Sequence, residues 1–249
     1  MSTVLILGAT SDIGVAIARR FAAAGYNVQL AARNPAGIQP LAPELSRSFG
    51  ITATTHAFDA AAGDAAHTAF LENLSPLPDT TVYTIGYMRP VKDASAPELA
   101  SSGDETDRVL AANYTGAVSI LNKIAARYVS QQKGTILGIS SVAGERGRQS
   151  NFLYGSAKAA FTAYLSGLRN YCSPLGVHVA TIKPGFVYTK MTAGLTLPPR
   201  LTATPQQVAS AVYRAAEKKK NVVYVKGIWR WIMLVIRSIP EPIFKKLKL

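Results

Sequence analysis

Short β-branched and apolar runs alternate from end to end of the chain with stretches whose apolar residues recur at helical spacing. That order predicts a parallel sheet with helices on both faces. Seven strands are expected, at about Thr3 to Leu7, Val28 to Ala32, Thr54 to Phe58, Thr81 to Ile85, Thr135 to Ser140, His178 to Ile182 and Val222 to Val225. Between the first two, Ile13, Ile17, Phe21 and Ala24 share a helical face, and Gly25 sits where a helix C-terminal glycine belongs. A long helix is expected near Glu105 to Ser130, with Val109, Ala112, Gly116, Ile120 and Ile124 on one face. Another is expected near Asn151 to Tyr171, carrying Tyr154, Lys158, Phe161, Leu165 and Leu168. Thr204, Pro205 and Gln207 form a capping box with proline where its missing N–H costs nothing, and that last regular helix should end near Lys218 to Lys220.

With 249 residues, 48% of them hydrophobic and 16% charged, the chain has the length and composition of one ordinary α/β domain rather than a disordered tail. Cys172 is the single cysteine, which excludes an internal disulfide framework and leans towards a reducing, cytoplasmic setting. The N-terminal MSTVLILGATSDIG has no basic leader and reads as a first strand, not a signal peptide. The longest uncharged apolar run near the other end, Trp231 to Ile236, is six residues, against about 20 needed to span a bilayer. The formal charge is +13, of which the last 38 residues, from Val212, carry +8. The cation excess is therefore a tail property, and an anionic membrane surface, a phosphorylated ligand or nucleic acid are its candidate partners.

Gly8-Ala9-Thr10-Ser11-Asp12-Ile13-Gly14 lies between the first strand and first helix, where backbone N–H groups and a helix N-terminus receive a pyrophosphate. A glycine turn in any α/β protein is the bland alternative. At the end of the second strand an NAD enzyme would carry a carboxylate; here Ala32 is followed by Arg33, whose guanidinium suits a 2′-phosphate, so NADP(H) is favoured over NAD(H). Asp59, just past the third strand, would accept from an adenine amino group or cap its own loop. The fold expected is thus a single Rossmann-like, doubly wound domain over residues 1–227, followed by a basic, apolar C-terminal extension over 228–249.

Tyr154-Gly-Ser-Ala-Lys158 places a phenol and an ammonium four residues apart on one helical face, and Ser141 ends the preceding strand. An adjacent ammonium should pull the phenol below its usual pKa near 10 and make it a proton donor or acceptor at neutral pH. YGSAK with Ser141 upstream, Asn113 in NYTG, the GATSDIG turn and Pro184-Gly185-Phe186-Val187-Tyr188-Thr189 after a late strand together resemble the short-chain dehydrogenase/reductase family over almost the whole chain. The resemblance implies NAD(P)-dependent hydride transfer to or from a carbonyl. Ser141 would hold the carbonyl, Tyr154 deliver the proton, Lys158 also grip the nicotinamide ribose, and Asn113 support a water relay. Pro184, Gly185, Val187 and Thr189 would position the nicotinamide. Leu7 and Asp12 depart from the family's TGxxxGxG; Asp12 is expected to cap the helix or bond a neighbouring loop.

Three features narrow the substrate. Arg146 and Arg148 follow the serine closely and would bind an anionic group, unless they serve a subunit interface or pair with Glu145. Ile228, Trp231, Ile232, Val235 and Ile239 share one helical face with Lys226, Arg230 and Arg237 on another, the pattern of a helix lying in a membrane interface or a covered oligomer contact. SSVAGERGR, NFLYGSAK, IKPGFVYTKM and IRSIPEPIFKKL are similar to the branch of the family formed by the decaprenylphosphoryl-2-keto-erythro-pentose reductases. That implies a polyprenyl-phosphate-linked 2-keto sugar reduced at the membrane surface with NAD(P)H; separately, a cytoplasmic homo-oligomer peripheral to the inner membrane face is expected. Residues 189–199 read as a small, apolar lid. The rivals are a soluble 3-oxoacyl or small-ketone reductase and a non-catalytic dinucleotide sensor, which would need no proton donor. The basic tail lacks a nucleic-acid-reading motif. His56, His67 and His178 are isolated, so no metal site is expected.

Overall fold

The computed structural model of the protein describes residues 1–89 and 102–247; Lys248 and Leu249, the end of the basic extension, lie outside these. The strands are β1 Thr3–Leu7, β2 Asn27–Ala32, β3 Ala53–Ala57, β4 Thr80–Tyr83, β5 Gly134–Ile139, β6 Val177–Pro184 and β7 Val222–Val225. All pair in parallel, in the order β3-β2-β1-β4-β5-β6-β7. The chain winds outward from β1 to β3, then returns beside β1 and winds the other way. The crevice at the carboxyl ends of β1 and β4 is therefore the switch point where such sheets bind ligands.

Strand β1 shows why both faces are covered. Successive side chains point to opposite sides, so Val4 and Ile6 enter one core while Leu5 and Leu7 enter the other. The first core closes against helices α1 (Asp12–Ala22), α2 (Leu41–Phe49) and α7 (Pro205–Glu217) through Ile17, Phe21, Leu45 and Val212. The second closes against α3 (Asp64–Glu72), α5 (Gly116–Ser130) and α6 (Phe152–Cys172) through Leu71, Ile120, Ile124, Phe161 and Leu165. Helix α7 begins with the expected reciprocal cap: Gln207 N donates to Thr204 Oγ1 at 3.2 Å and Thr204 N to Gln207 Oε1 at 3.0 Å.

The expected single helix from Glu105 to Ser130 is interrupted. Helix α4 (Gly103–Leu110) passes into a wide π-type turn, Ala111–Thr115, before α5 starts. The extra residue lets Asn113 turn into the protein, where it is fully buried. Gly116 follows because a Cβ there would lie 2.2 Å from the Ala60 carbonyl oxygen.

Helix α8 (Ile228–Ser238) and the short α9 (Glu241–Phe244) end the chain. Trp229 and Met233 of α8 are buried against Val142, with Ile232 and Ile236 beside them. The expected apolar face, with Ile228, Trp231 and Val235, is the outward one; of that set Ile232 turns towards the protein. Trp229 and Met233 point inward, whereas Ile228, Trp231, Leu234 and Val235 remain exposed. Among the described residues, no helix is long and apolar enough to cross a membrane, and no cluster of His, Cys, Asp or Glu is placed to hold a metal. His67 is a satisfied core histidine, its two ring nitrogens bonded to Ser119 Oγ and the Asp59 carbonyl at 2.8 and 2.9 Å.

Candidate active site

At the β1–α1 turn, Gly8 has φ +100°, and a Cβ there would meet Thr84 Oγ1 at 2.6 Å and the backbone N of Ile85 at 2.9 Å. Only glycine lets the turn lie this close to the end of β4. Ser11 caps α1, its Oγ accepting from Gly14 N at 2.9 Å, which leaves the helix N-terminus open beside a cleft of about 720 Å³. Gly8, Thr10, Ser11, Asp12, Ile13, Arg33, Asp59 and Thr189 all line this cleft. Gly14 stands behind it, with no room for a Cβ 2.4 Å from the Gly8 carbonyl oxygen. A glycine-tight turn, an open helix end and a cation at the end of β2 fit a dinucleotide.

Arg33 is exposed at the cleft edge and has no ion-pair partner among the described residues. Asp59 uses Oδ1 to accept from Ala61 N at 3.0 Å, so the loop-capping role is real. Asp12 does not cap α1, because Ser11 does; its Oδ2 accepts from Lys190 N at 2.8 Å across the cleft mouth. Lys190 and Met191 of the expected lid line the cleft too, and the sequence reading missed Gly86, Tyr87 and Arg108, which are also part of the lining. A glycine just past β4 was the available signal for Gly86; the others come to the cleft only through the tertiary fold.

The four candidate catalytic side chains do not line the cleft themselves but cluster behind Gly86, which does. Ser141 follows β5 in extended conformation and caps the turn Val142–Glu145, its Oγ accepting from Ala143 N at 3.1 Å. On α6, Lys158 Nζ lies 5.7 Å from the centre of the Tyr154 ring and donates to the Ile139 carbonyl at 3.0 Å. A Cβ on Gly86 would stand 3.1 Å from Asn113 Oδ1 and 3.4 Å from Lys158 Nζ, so this cleft-lining glycine touches both. Asn113 is held by Tyr87 and by its own helix: Nδ2 donates to the Tyr87 and Val109 carbonyls at 2.6 and 2.8 Å, and Oδ1 accepts from Tyr87 N at 3.3 Å. Ser141, Tyr154, Lys158 and Asn113 thus converge.

Their electrostatics differ from expectation. Burial pushes the Tyr154 phenol up to about 12, only partly offset by a hydrogen bond with Ser141, and pushes Lys158 down to about 7. Desolvation disfavours both charged forms, and a lysine that sheds its own proton cannot lower its neighbour's pKa.

Two groups of expected site residues lie elsewhere. Pro184 ends β6, Val187 bridges to Ala203, and Gly185 lies against Trp229, whose indole a Cβ would meet at 2.0 Å; these three back the cleft without lining it. The arginines are corrected more sharply. Arg146 pairs with Glu241, donates to the Arg237 carbonyl at 3.3 Å and covers the Phe244 ring at 4.1 Å. Arg148 donates to Met233 Sδ at 3.3 Å. Both fasten the C-terminal helices and neither lines the cleft, because α8 reaches their guanidiniums first.

The short chain dehydrogenase family model matches residues 2–198. An uncharacterized oxidoreductase of Streptomyces coelicolor is 35% identical over 98% of this chain and 95% of its own, and one of Mycobacterium tuberculosis is 34% identical over 98% and 96%. A short-chain dehydrogenase from Sphingobium yanoikuyae in complex with NADPH shares the fold with TM-score 0.82 at 24% identity, covering 97% of each chain. So does a gluconate 5-dehydrogenase from Burkholderia cenocepacia in complex with NADP and tartrate, with TM-score 0.82 at 22% identity over 92% and 95%. The chain belongs to the short-chain dehydrogenase/reductase family of NAD(P)-dependent oxidoreductases.

Proposed function

We propose that the protein reduces a carbonyl to an alcohol with NADPH, Tyr154 supplying the proton. The observation that carries this reading is that Lys158 Nζ stands beside both the Tyr154 ring and Gly86, a residue lining the nucleotide cleft. When bound there, the nicotinamide supplies the hydride. Gly8, the α1 N-terminus and Thr189 would hold the dinucleotide, and Arg33, without an ion pair among the described residues, would take a 2′-phosphate, which favours NADP(H) over NAD(H). A phenol with its pKa near 12 is fully protonated at neutral pH, so Tyr154 stands ready to donate to the developing alkoxide. Ser141 Oγ would orient the same oxygen. Lys158, held by the Ile139 carbonyl, would reach the ribose hydroxyls, and Asn113 would fix the Tyr87 backbone beside it.

The substrate in this reading is a polyprenyl-phosphate-linked 2-keto sugar, taken from the membrane surface by a cytoplasmic homo-oligomer peripheral to the inner face. Its support is the family-branch motifs and the exposed apolar side of α8, not the arginines. The engagement of Arg146 and Arg148 by α8 and α9 favours a second reading, a soluble reductase of 3-oxoacyl groups or small ketones. NADPH oxidation on a polyprenyl-phosphoryl 2-keto-pentose, a simple ketone and a 3-oxoacyl thioester decides between them. The lipid-linked sugar should turn over fastest; a faster thioester or ketone transfers the assignment. Tyr154→Phe should lose at least about 10²-fold in kcat while still binding NADPH, and near-normal turnover by that variant would refute the proton-donor role.

A further inference from the structure

Helix α8 has two working faces. Inward, Trp229 and Met233 pack on Val142, the residue after Ser141, and the Trp229 indole donates to the Leu201 carbonyl at 3.0 Å, at the end of the lid. Outward, Trp231 and Val235 are 64% and 65% exposed, with Ile228 and Leu234 beside them and Ile243 and Leu247 continuing the apolar surface. Tyr188, just before the lid, and Met191 and Leu195 within it are exposed as well, so most of the large exposed apolar side chains among the described residues lie on these two segments. The segments are joined at their roots, since Lys226 Nζ donates to the Pro199 and Arg200 carbonyls at 3.3 and 2.9 Å.

The charges on this surface are of one sign. Arg230, Lys245 and Lys246 are exposed and make no ion pair among the described residues, while Glu241, the sole carboxylate between Ile228 and Leu247, is already paired with Arg146. A symmetric contact between two copies would set the same patch against itself and bring these cations together with no acid to neutralise them. Anionic headgroups would neutralise them, and a tryptophan among aliphatics suits the interface beneath. At eleven residues, α8 is about 16 Å long, too short to cross a hydrocarbon core of about 30 Å, and its inner face is committed to the protein. It can only lie in the plane of the surface.

We infer that the outer face of α8 and α9, together with exposed Tyr188 and the lid side chain Leu195, docks on an anionic lipid bilayer, so that the substrate mouth opens towards the membrane. The inference rests on the proposed carbonyl chemistry at Ser141 and names the surface from which that site is served. Because the inner face of α8 packs on Val142, the catalytic loop stands about one helix diameter, roughly 10 Å, from the lipid.

The test uses the full chain with vesicles of equal parts phosphatidylglycerol and phosphatidylcholine, and with vesicles of phosphatidylcholine alone. Sedimentation should show binding to the anionic vesicles at least about tenfold tighter than to the neutral ones, weakening as salt is raised. Trp229 is already buried, so a blue shift of emission on binding reports Trp231 and should vanish in Trp231→Phe. The exposed pair Trp231→Ser with Val235→Ser, and separately Leu195→Gln, should each weaken vesicle binding while NADPH binding and melting temperature stay unchanged. Wild-type protein left unbound by anionic vesicles overturns the inference, as does a Leu195→Gln variant that binds them like wild type. Dissociation of an oligomer by the paired substitution, without vesicle binding by either protein, assigns the patch to a second copy instead. If vesicles bind as expected but no carbonyl is reduced, the functional reading fails and the docking surface stands.

Discussion

Lys158 shows how much of a residue's chemistry is set by surroundings that spacing does not reveal. The four-residue interval from Tyr154 places the two groups on one face, and the structure keeps them 5.7 Å apart, nitrogen to ring centre. Burial nevertheless holds Lys158 near 7 and Tyr154 near 12. The sign of the pH effect follows. The proton donor is present throughout the neutral range, whereas the lysine's charge is gained as pH falls through about 7 and lost above it. If the charged lysine is the active form, kcat/KM for carbonyl reduction declines as pH rises past about 7. Lys158→Arg, whose guanidinium stays charged, should move that limb upward; a pH profile of kcat/KM checks both. Asp12 is the second case. Its bond to Lys190 N ties the cofactor turn to the root of the lid, so Asp12→Ala should raise KM for NADPH several-fold with kcat little changed. Asp12→Asn keeps an acceptor oxygen and should restore it. Equal KM values for the three proteins would remove Asp12 from cofactor retention.

At the scale of elements, the strands and the long helices were legible because their apolar residues recur at periods of two and about 3.6, and burial against a sheet demands those periods. The break at Ala111–Thr115 was not. Its residues have helical character, and what pulls Asn113 inward is a pair of backbone groups on Tyr87, which only the fold brings alongside. The outward face of α8 was legible, but its inner face was not: the helix is apolar nearly all round, and Gly185 is what seats Trp229 inward. With no Cβ, Gly185 admits the Trp229 ring, and α8 is docked by that contact. Gly185→Ala should therefore displace Trp229 and cost about 1–3 kcal/mol of stability, read as a lower denaturant midpoint. An unchanged midpoint would show that the indole has room to shift.

Over the whole molecule, one half-buried base makes stability depend on acidity. His178, at the start of β6, is pushed down to about 4 by burial and by the nearby Lys219 and Arg169 charges, and its Nε2 has no hydrogen-bond partner among the described residues. Between about pH 4 and 6.5 the unfolded chain binds the extra proton, so stability is full above that window and falls as pH is lowered through it. His178→Gln should flatten the melting temperature across that range; a slope identical to wild type would place the acid sensitivity elsewhere. The sequence by itself determined the alternation of strands and helices, hence a doubly wound sheet, and the identity of the serine, tyrosine, lysine and asparagine, because period, glycine turns and short-range spacing are properties of the chain. Which arginines are free, where Asp12 reaches and what seats the inner face of α8 were decided only in the tertiary structure. The contacts of Arg146, Arg148 and Asp12 join residues 85 or more apart, that of Trp229 with Gly185 residues about 40 apart, and no local pattern encodes a contact whose other half is elsewhere in the chain.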